Sequence, residues 1–122
     1  MKAFFDTNIL IDYLNGHQQA ADEFKLYDDL NISIITYMEV LVGVRSSGHE
    51  AVVRRFLNSF NIVELSSDIA DRTVEVRKEL KVKLPDAIIY ATARENNGLL
   101  VTRNTKGFSP DRPEVRLPYQ IS

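Results

Sequence analysis

The segment Ala3-Phe4-Phe5-Asp6-Thr7-Asn8 constrains this chain more than any other stretch. Three consecutive apolar residues with no polar alternation fit a strand covered on both faces, as in a parallel sheet. The polar triplet behind them ends such a strand and opens a helix, which Ile9 to Leu14 continues until Asn15-Gly16 stops it. Ligands of open α/β sheets sit beyond the carboxyl ends of the strands. Asp6 therefore stands at the edge where such a protein carries its chemistry. A helix start also needs an Asp, Ser, Thr or Asn for its free amides, so capping alone accounts for Asp6 or Thr7 until other residues are considered.

The bulk properties exclude several classes. With 122 residues, 44% apolar and 26% charged, the chain is expected to fold as one domain, 1–122, with a substantial core. It has no cysteine, which removes disulfides, thiolate nucleophiles and zinc–cysteine sites and is compatible with a cytoplasmic address. No apolar run reaches the roughly 18 residues of a membrane helix, and the start lacks the charged-then-apolar layout of a secretory signal. A net charge of −2 argues against coating nucleic acid by bulk electrostatics. It leaves room for a nuclease with a local basic rim. His17 and His49 occur in unrelated contexts, so histidine-based metal or triad chemistry is not expected.

Along the rest of the chain, apolar spacing predicts helices and strands in alternation. A helix is expected over 18–30, a strand over Asn31 to Ile35, and a helix capped by Thr36 with Glu39 at capping-box spacing, running to about Arg45. Further helices are expected at about 50–60, burying Val52, Val53, Phe56 and Leu57, and after Ser66 or Ser67. Another opens at Leu84-Pro85-Asp86, proline suiting a first turn. Strands are expected at Ile62 to Leu65 and Leu99 to Val101, and at most a short edge strand around Val115 within a tail containing Pro110, Pro113 and Pro118. This order implies an α/β fold, a parallel sheet of four to five strands with helices on both faces.

Three carboxylates occupy comparable places: Asp6 after the first strand, Glu39 in the first turn after the second, and Asp86 in the first turn of the helix before the fourth. The first two project to one edge. Asp86 joins them only if its helix starts on that side, which a helix leading back into a strand normally does not, and composition and spacing alone leave this open.

Four segments together carry a family resemblance: Phe5-Asp6-Thr7-Asn8-Ile9-Leu10-Ile11-Asp12, Thr36-Tyr37-Met38-Glu39-Val40-Leu41-Val42-Gly43, Leu84-Pro85-Asp86-Ala87-Ile88-Ile89-Tyr90-Ala91-Thr92-Ala93 and Leu100-Val101-Thr102-Arg103-Asn104-Thr105-Lys106-Gly107-Phe108. In that order and separation they resemble the PIN-domain ribonucleases, most of all the VapC-type toxins of toxin–antitoxin pairs. The resemblance implies a single three-layer PIN-like domain. It also implies that Asp6, Glu39 and Asp86 converge on Mg2+ or Mn2+, and that RNA is the substrate. A small antitoxin is the implied protein partner and a homodimer the implied assembly. Oxygen ligands and retained water suit so hard an ion, which prepares water for attack on a phosphodiester. Thr7, Asn8, Thr102, Arg103, Asn104 and Lys106 are then candidates for holding the acids, water or phosphate.

The chain departs from the family at two points. Relatives commonly carry a fourth acid before the residue matching Phe108, where this chain has Gly107, and Asn104 is an amide at another position open to an acid. One negative charge fewer weakens a second metal more than a first. Asp111 is read as a solvated turn residue rather than a substitute, and Asp12 and Asp68 as helix-surface residues. The alternatives are a catalytically weak or inactive PIN-like RNA-binding protein and a haloacid-dehalogenase-like phosphohydrolase using Asp6 as nucleophile. The latter wants a second Asp where Asn8 stands. A receiver domain would want paired acids after the first strand, and these are not evident.

Overall fold

A computed structural model describes residues 1–109 and 111–121. The opening apolar run forms β1 (Lys2–Phe5), and α1 (Thr7–Leu14) follows after the single residue Asp6. The remaining elements are α2 (Gln18–Phe24), β2 (Asp29–Ser33), α3 (Ile34–Val42), α4 (Ser47–Leu57), β3 (Asn61–Val63), α5 (Ser67–Leu80), α6 (Leu84–Glu95), β4 (Leu99–Val101) and β5 (Val115–Arg116). The five strands pair in parallel in the order β3-β2-β1-β4-β5. β1 is central, with both faces covered, which is why its three interior residues are all apolar.

The two faces separate neatly by the alternation of side chains along a strand. Phe4 packs with Ile69 and Val76 of α5 and with Ala87, Tyr90 and Ala91 of α6. Ala3 and Phe5 point the other way, against Ile9 and Leu10 of α1, Ala20 of α2 and Val53 and Leu57 of α4. The small residues of α6 let it lie close on the sheet, and Ala87, Ala91 and Ala93 are fully buried. Gly98, in the turn from α6 into β4, permits the tightest approach: a Cβ there would stand 2.4 Å from Phe4 Cδ2 and 2.5 Å from Cε2. Gly98→Ala is expected to cost about 2 kcal/mol by pushing a core ring off its position. Urea unfolding of the variant measures this, and an unmoved midpoint would contradict it.

Several boundaries differ from the sequence expectation. β2 begins at Asp29 rather than Asn31, because its register on β1 pairs Lys2 with Asp29, Ala3 with Leu30 and Phe4 with Asn31. The Asn31 side chain is buried yet satisfied, donating to the Ala3 carbonyl at 3.3 Å and to Asp29 Oδ1 at 2.9 Å. The earlier strand starts the next helix earlier. Ser33, not Thr36, caps α3 by accepting from the Ile35 amide, and the helix ends at Val42 rather than near Arg45. Thr36 is buried inside the helix and Glu39 lies beyond its first turn, so the capping box does not form. α2 stops at Phe24, short of the expected Leu30, and β3 ends at Val63. α4 starts at Ser47 under a Ser46 cap, a frame that leaves Val52 54% exposed while Val53 and Leu57 are buried. The parallel β5 is the expected short edge strand, and Pro110 lies outside the described residues.

Candidate active site

In this strand order β1 runs one way to β2 and β3, while β4 and β5 lie on its other side. The ends of β1 and β4 thus flank the point where the sheet's connections diverge, the usual place for a ligand in such a sheet. Asp6 follows β1 directly and Thr102 follows β4 directly. Both are buried, and the Thr102 hydroxyl donates to Asp6 Oδ2 at 2.7 Å. Asp6 Oδ1 accepts the Thr7 amide at 2.7 Å, so Asp6 also caps α1. The capping and chemical readings therefore describe the same carboxylate.

A tight set of polar contacts fixes that carboxylate. Asn8 Nδ2 donates to Asp6 Oδ2 at 3.3 Å and to Thr102 Oγ1 at 3.4 Å, and Asn8 Oδ1 accepts the Arg103 amide at 3.2 Å. The Asn104 amide donates to Thr102 Oγ1 at 3.0 Å. Thr7 Oγ1 donates to Glu39 Oε1 at 2.6 Å and stands 3.1 Å from Thr36 Oγ1. A hydroxyl has one hydrogen, so Thr36 donates in the second contact. Thr36 is a site residue the sequence reading missed, although it opens the Thr36-Tyr37-Met38-Glu39 motif.

Asp86 arrives from the far end of the chain. α6 finishes at the edge where β4 begins, so its first turn, 11 residues earlier than Asn97, lies at the opposite edge with Asp6. Spacing alone left the placement of this helix open; a helix that returns the chain to the start of a strand must itself begin near the strands' carboxyl ends, and α6 does so. Burial pushes the Asp6 carboxyl up to about 6 from its ordinary 3.8, and the negative charges of Asp86 and Glu39 add to that rise. Burial also raises Asp86, with Glu39 adding to it and Lys83 opposing it. The three acids thus share one electrostatic neighbourhood. Among the described residues no three acidic or histidine side chains stand close enough to grip one ion together.

Two second-rank candidates have other occupations. Arg103, expected to hold phosphate, instead makes a two-pronged bond to Asp12, Nε to Oδ2 at 2.5 Å and Nη2 to Oδ1 at 2.9 Å. Asp12, expected on the helix surface, is only 4% exposed and accepts a further bond from the Tyr119 hydroxyl at 2.9 Å. Asn104 Oδ1 accepts the Gly107 amide at 3.0 Å, which shapes the loop after β4. A Cβ on Gly107 would stand 2.8 Å from Asn104 Nδ2, so an acid cannot be placed there without moving that amide. Lys106 is exposed beside Asp86 and Asn104, and Asp111 is an exposed turn residue as expected.

A five-stranded parallel sheet with an acidic edge built on Asp6 defines the class, and residues 3–109 match the PIN domain family, to which the chain belongs. The chain is 30% identical over 115 residues to Ribonuclease VapC1 of Methanocaldococcus jannaschii, covering 88% of this chain and 79% of that protein. Among solved structures, it is similar to a chain of a toxin–antitoxin complex from Klebsiella pneumoniae, with a TM-score of 0.92, 47% identity, and 98% of this chain and 100% of that one covered. DNA-bound VapBC from Salmonella typhimurium gives a TM-score of 0.79 at 26% identity, covering 95% and 96% of the two chains.

Proposed function

We propose that this chain is a metal-dependent endoribonuclease and the toxin of a type II toxin–antitoxin pair, with residues 1–122 forming the nuclease unit. The observation that carries the reading is the buried Asp6 carboxylate at the sheet's divergence point, raised by burial and by the charges of Asp86 and Glu39. An arrangement that raises its own ionisation cost is hard to justify in a structural role and is relieved by a cation. The donor set fits Mg2+ or Mn2+: every candidate ligand is an oxygen, and such an ion takes one or two carboxylates directly and keeps water elsewhere. Asp6, Glu39 and Asp86 would hold it, directly or through its waters. When bound, the ion supplies an acidified water and shields charge on the phosphodiester.

The remaining work falls to the chain itself. Thr102, Thr7 and Asn8 hold the Asp6 carboxylate in one orientation. The Thr7 hydroxyl turns Glu39 toward the same space. Asn104 shapes the loop that walls the cleft beside Asp86. The names of the relatives support RNA as substrate and a small antitoxin as partner, and we extend the reading to a homodimer in the cytoplasm. No helix among the described residues is long and apolar enough to cross a membrane.

Cleavage of single-stranded RNA is expected with Mg2+ or Mn2+ and is expected to stop with EDTA. Calorimetry is expected to find one tight Mg2+ site per chain, because Gly107 and Asn104 leave the edge without a fourth acid. Cleavage that persists in EDTA would end this reading. A second reading, an RNA-binding relative without turnover, is favoured by Gly107 and Asn104 standing at positions open to a fourth acid. It predicts binding with no cleavage and no growth arrest on expression.

A further inference from the structure

The arginines and lysines of this chain are used differently. Arg54, Arg72, Arg103, Arg112 and Arg116 are each paired with a carboxylate, five of nine arginines. Among the described residues no lysine makes an ion pair within 4.0 Å of an acid. Three of the six lysines, Lys81, Lys83 and Lys106, line a single cleft whose other polar walls are Asp86 and Asn104. All three are exposed, and Asp86 is the one acid in that lining. A chain of net charge −2 therefore concentrates free positive charge immediately beside its acidic edge.

Two further features belong to the same cleft. Lys81 caps α5 in the left-handed conformation, φ 57° and ψ 28°, where glycine or asparagine is the relaxed choice. A strained residue kept at such a position points to a use for its side chain. On the opposite wall, the bare Gly107 leaves room for the Asn104 amide, whose Nδ2 a Cβ would crowd at 2.8 Å. That Nδ2 makes no hydrogen bond among the described residues and remains a donor available to the cleft.

We propose that this cleft, through Lys81, Lys83, Lys106 and Asn104 Nδ2, grips the phosphate backbone of the RNA strand beside the bond presented to Asp6 and Asp86. The proposal rests on the nuclease reading for its substrate. It replaces Arg103, which Asp12 already engages, with lysines as the residues that contact phosphate. Lysine suits such a site as a mobile point charge that follows a flexible strand without reading its bases.

The test is the salt dependence of binding to a short fluorescein-labelled single-stranded RNA, measured by anisotropy with the full chain in EDTA. Each phosphate neutralised on a single strand contributes about 0.7 to the slope of log affinity against log salt. Each lysine-to-alanine change is expected to lower the slope by about 0.7 and the affinity about fivefold near 0.1 M salt. Lys81→Ala/Lys83→Ala/Lys106→Ala together should lower the slope by about 2 and the affinity about a hundredfold. Lys81→Gly separates structure from binding: it relaxes the left-handed cap, so the melting temperature should hold or rise while RNA affinity falls. Lys2→Ala and Lys25→Ala, at the opposite edge of the sheet, should leave the slope unchanged.

An unchanged slope in the triple variant overturns the proposal. So does an equal loss in the opposite-edge controls, or a triple variant that keeps its RNA slope while losing affinity for polyglutamate, which would assign the cleft to an acidic protein segment. The two readings fail separately. Mg2+-dependent cleavage with an unchanged slope leaves the nuclease and removes the cleft. A lowered slope in a chain that never cleaves keeps the cleft and removes the nuclease.

Discussion

Asp6→Asn is expected to reduce metal-dependent RNA cleavage by about 10^3-fold or more while making the metal-free protein more stable at neutral pH. Both effects come from the same carboxylate. Its folded value, about 6, lies above its ordinary value of 3.8 because burial disfavours the charge, with Asp86 and Glu39 adding to the effect. Below about pH 3.8 the carboxyl is protonated in both states, and it makes no difference to stability. As pH rises from there to about 6, the unfolded chain releases the proton while the folded chain retains it, so stability falls across that window and then levels off. A rise of about two units corresponds to about 3 kcal/mol. The variant's gain should be somewhat smaller, because both Asp6 oxygens accept hydrogen bonds, from the Thr7 amide on one side and from Asn8 Nδ2 and the Thr102 hydroxyl on the other, and the NH2 of the new amide faces one of these donor groups without an acceptor.

Urea unfolding of wild type and Asp6→Asn, in EDTA at several values between pH 4 and 8, reads the difference. The two curves should meet at the acid end and separate above about pH 6. Mg2+ should raise the wild-type midpoint at neutral pH and leave the variant's unchanged, since the cation stabilises the ionised carboxylate. A variant less stable than wild type at pH 7, or a gap that does not shrink toward pH 4, would show that the buried charge is not being held against its own preference.

The second large effect concerns Asp12. Replacing it with alanine removes the acceptor for Arg103 Nε and Nη2 and for the Tyr119 hydroxyl. The Asp12 side chain is 6% exposed and that of Arg103 24%, so the guanidinium is left mostly covered with no counter-charge. A loss of about 3 kcal/mol is expected, at the lower end for a broken buried pair because Arg103 keeps some access to water. Asp12→Ala/Arg103→Ala should lose less than the sum of the single changes, since removing both partners leaves no unpaired charge. The Arg103 amide holds Asn8, which in turn contacts Asp6, so cleavage should fall as well. A stability change within about 0.5 kcal/mol of zero would mean that the pair is only a surface contact.

These two residues mark where sequence reasoning succeeds and where it stops. Asp6 was legible because everything that places it is local: an apolar run to its left, a helix start to its right. Asp12 was assigned to a helix surface because its partners stand 91 and 107 residues away, at Arg103 and Tyr119. Glu23 repeats the lesson. It is buried near the end of α2, accepting from Tyr27 four residues on and from Arg116 at a separation of 93 residues, and only the latter pairing explains a buried acid there. Glu39 illustrates the opposite failure, since its spacing from Thr36 fitted a capping box until the register of β2 on β1 placed the cap at Ser33.

Hydrophobic period and turn residues were enough to establish the alternating helices and strands, the strand buried on both faces, and Asp6 and Asp86 at a strand end and a helix start. Those features depend on neighbours within a few residues, where backbone geometry dictates which side chains share a face. The grouping of Asp6 and Asp86 with Glu39 came from the family resemblance. Tertiary structure alone decided the register of β2, the burial of Asp12 and Glu23, the engagement of Arg103 and the meeting of three lysines at one cleft. Each of these joins segments far apart in the chain, and local periodicity carries no information about which distant charge will arrive to satisfy a buried one.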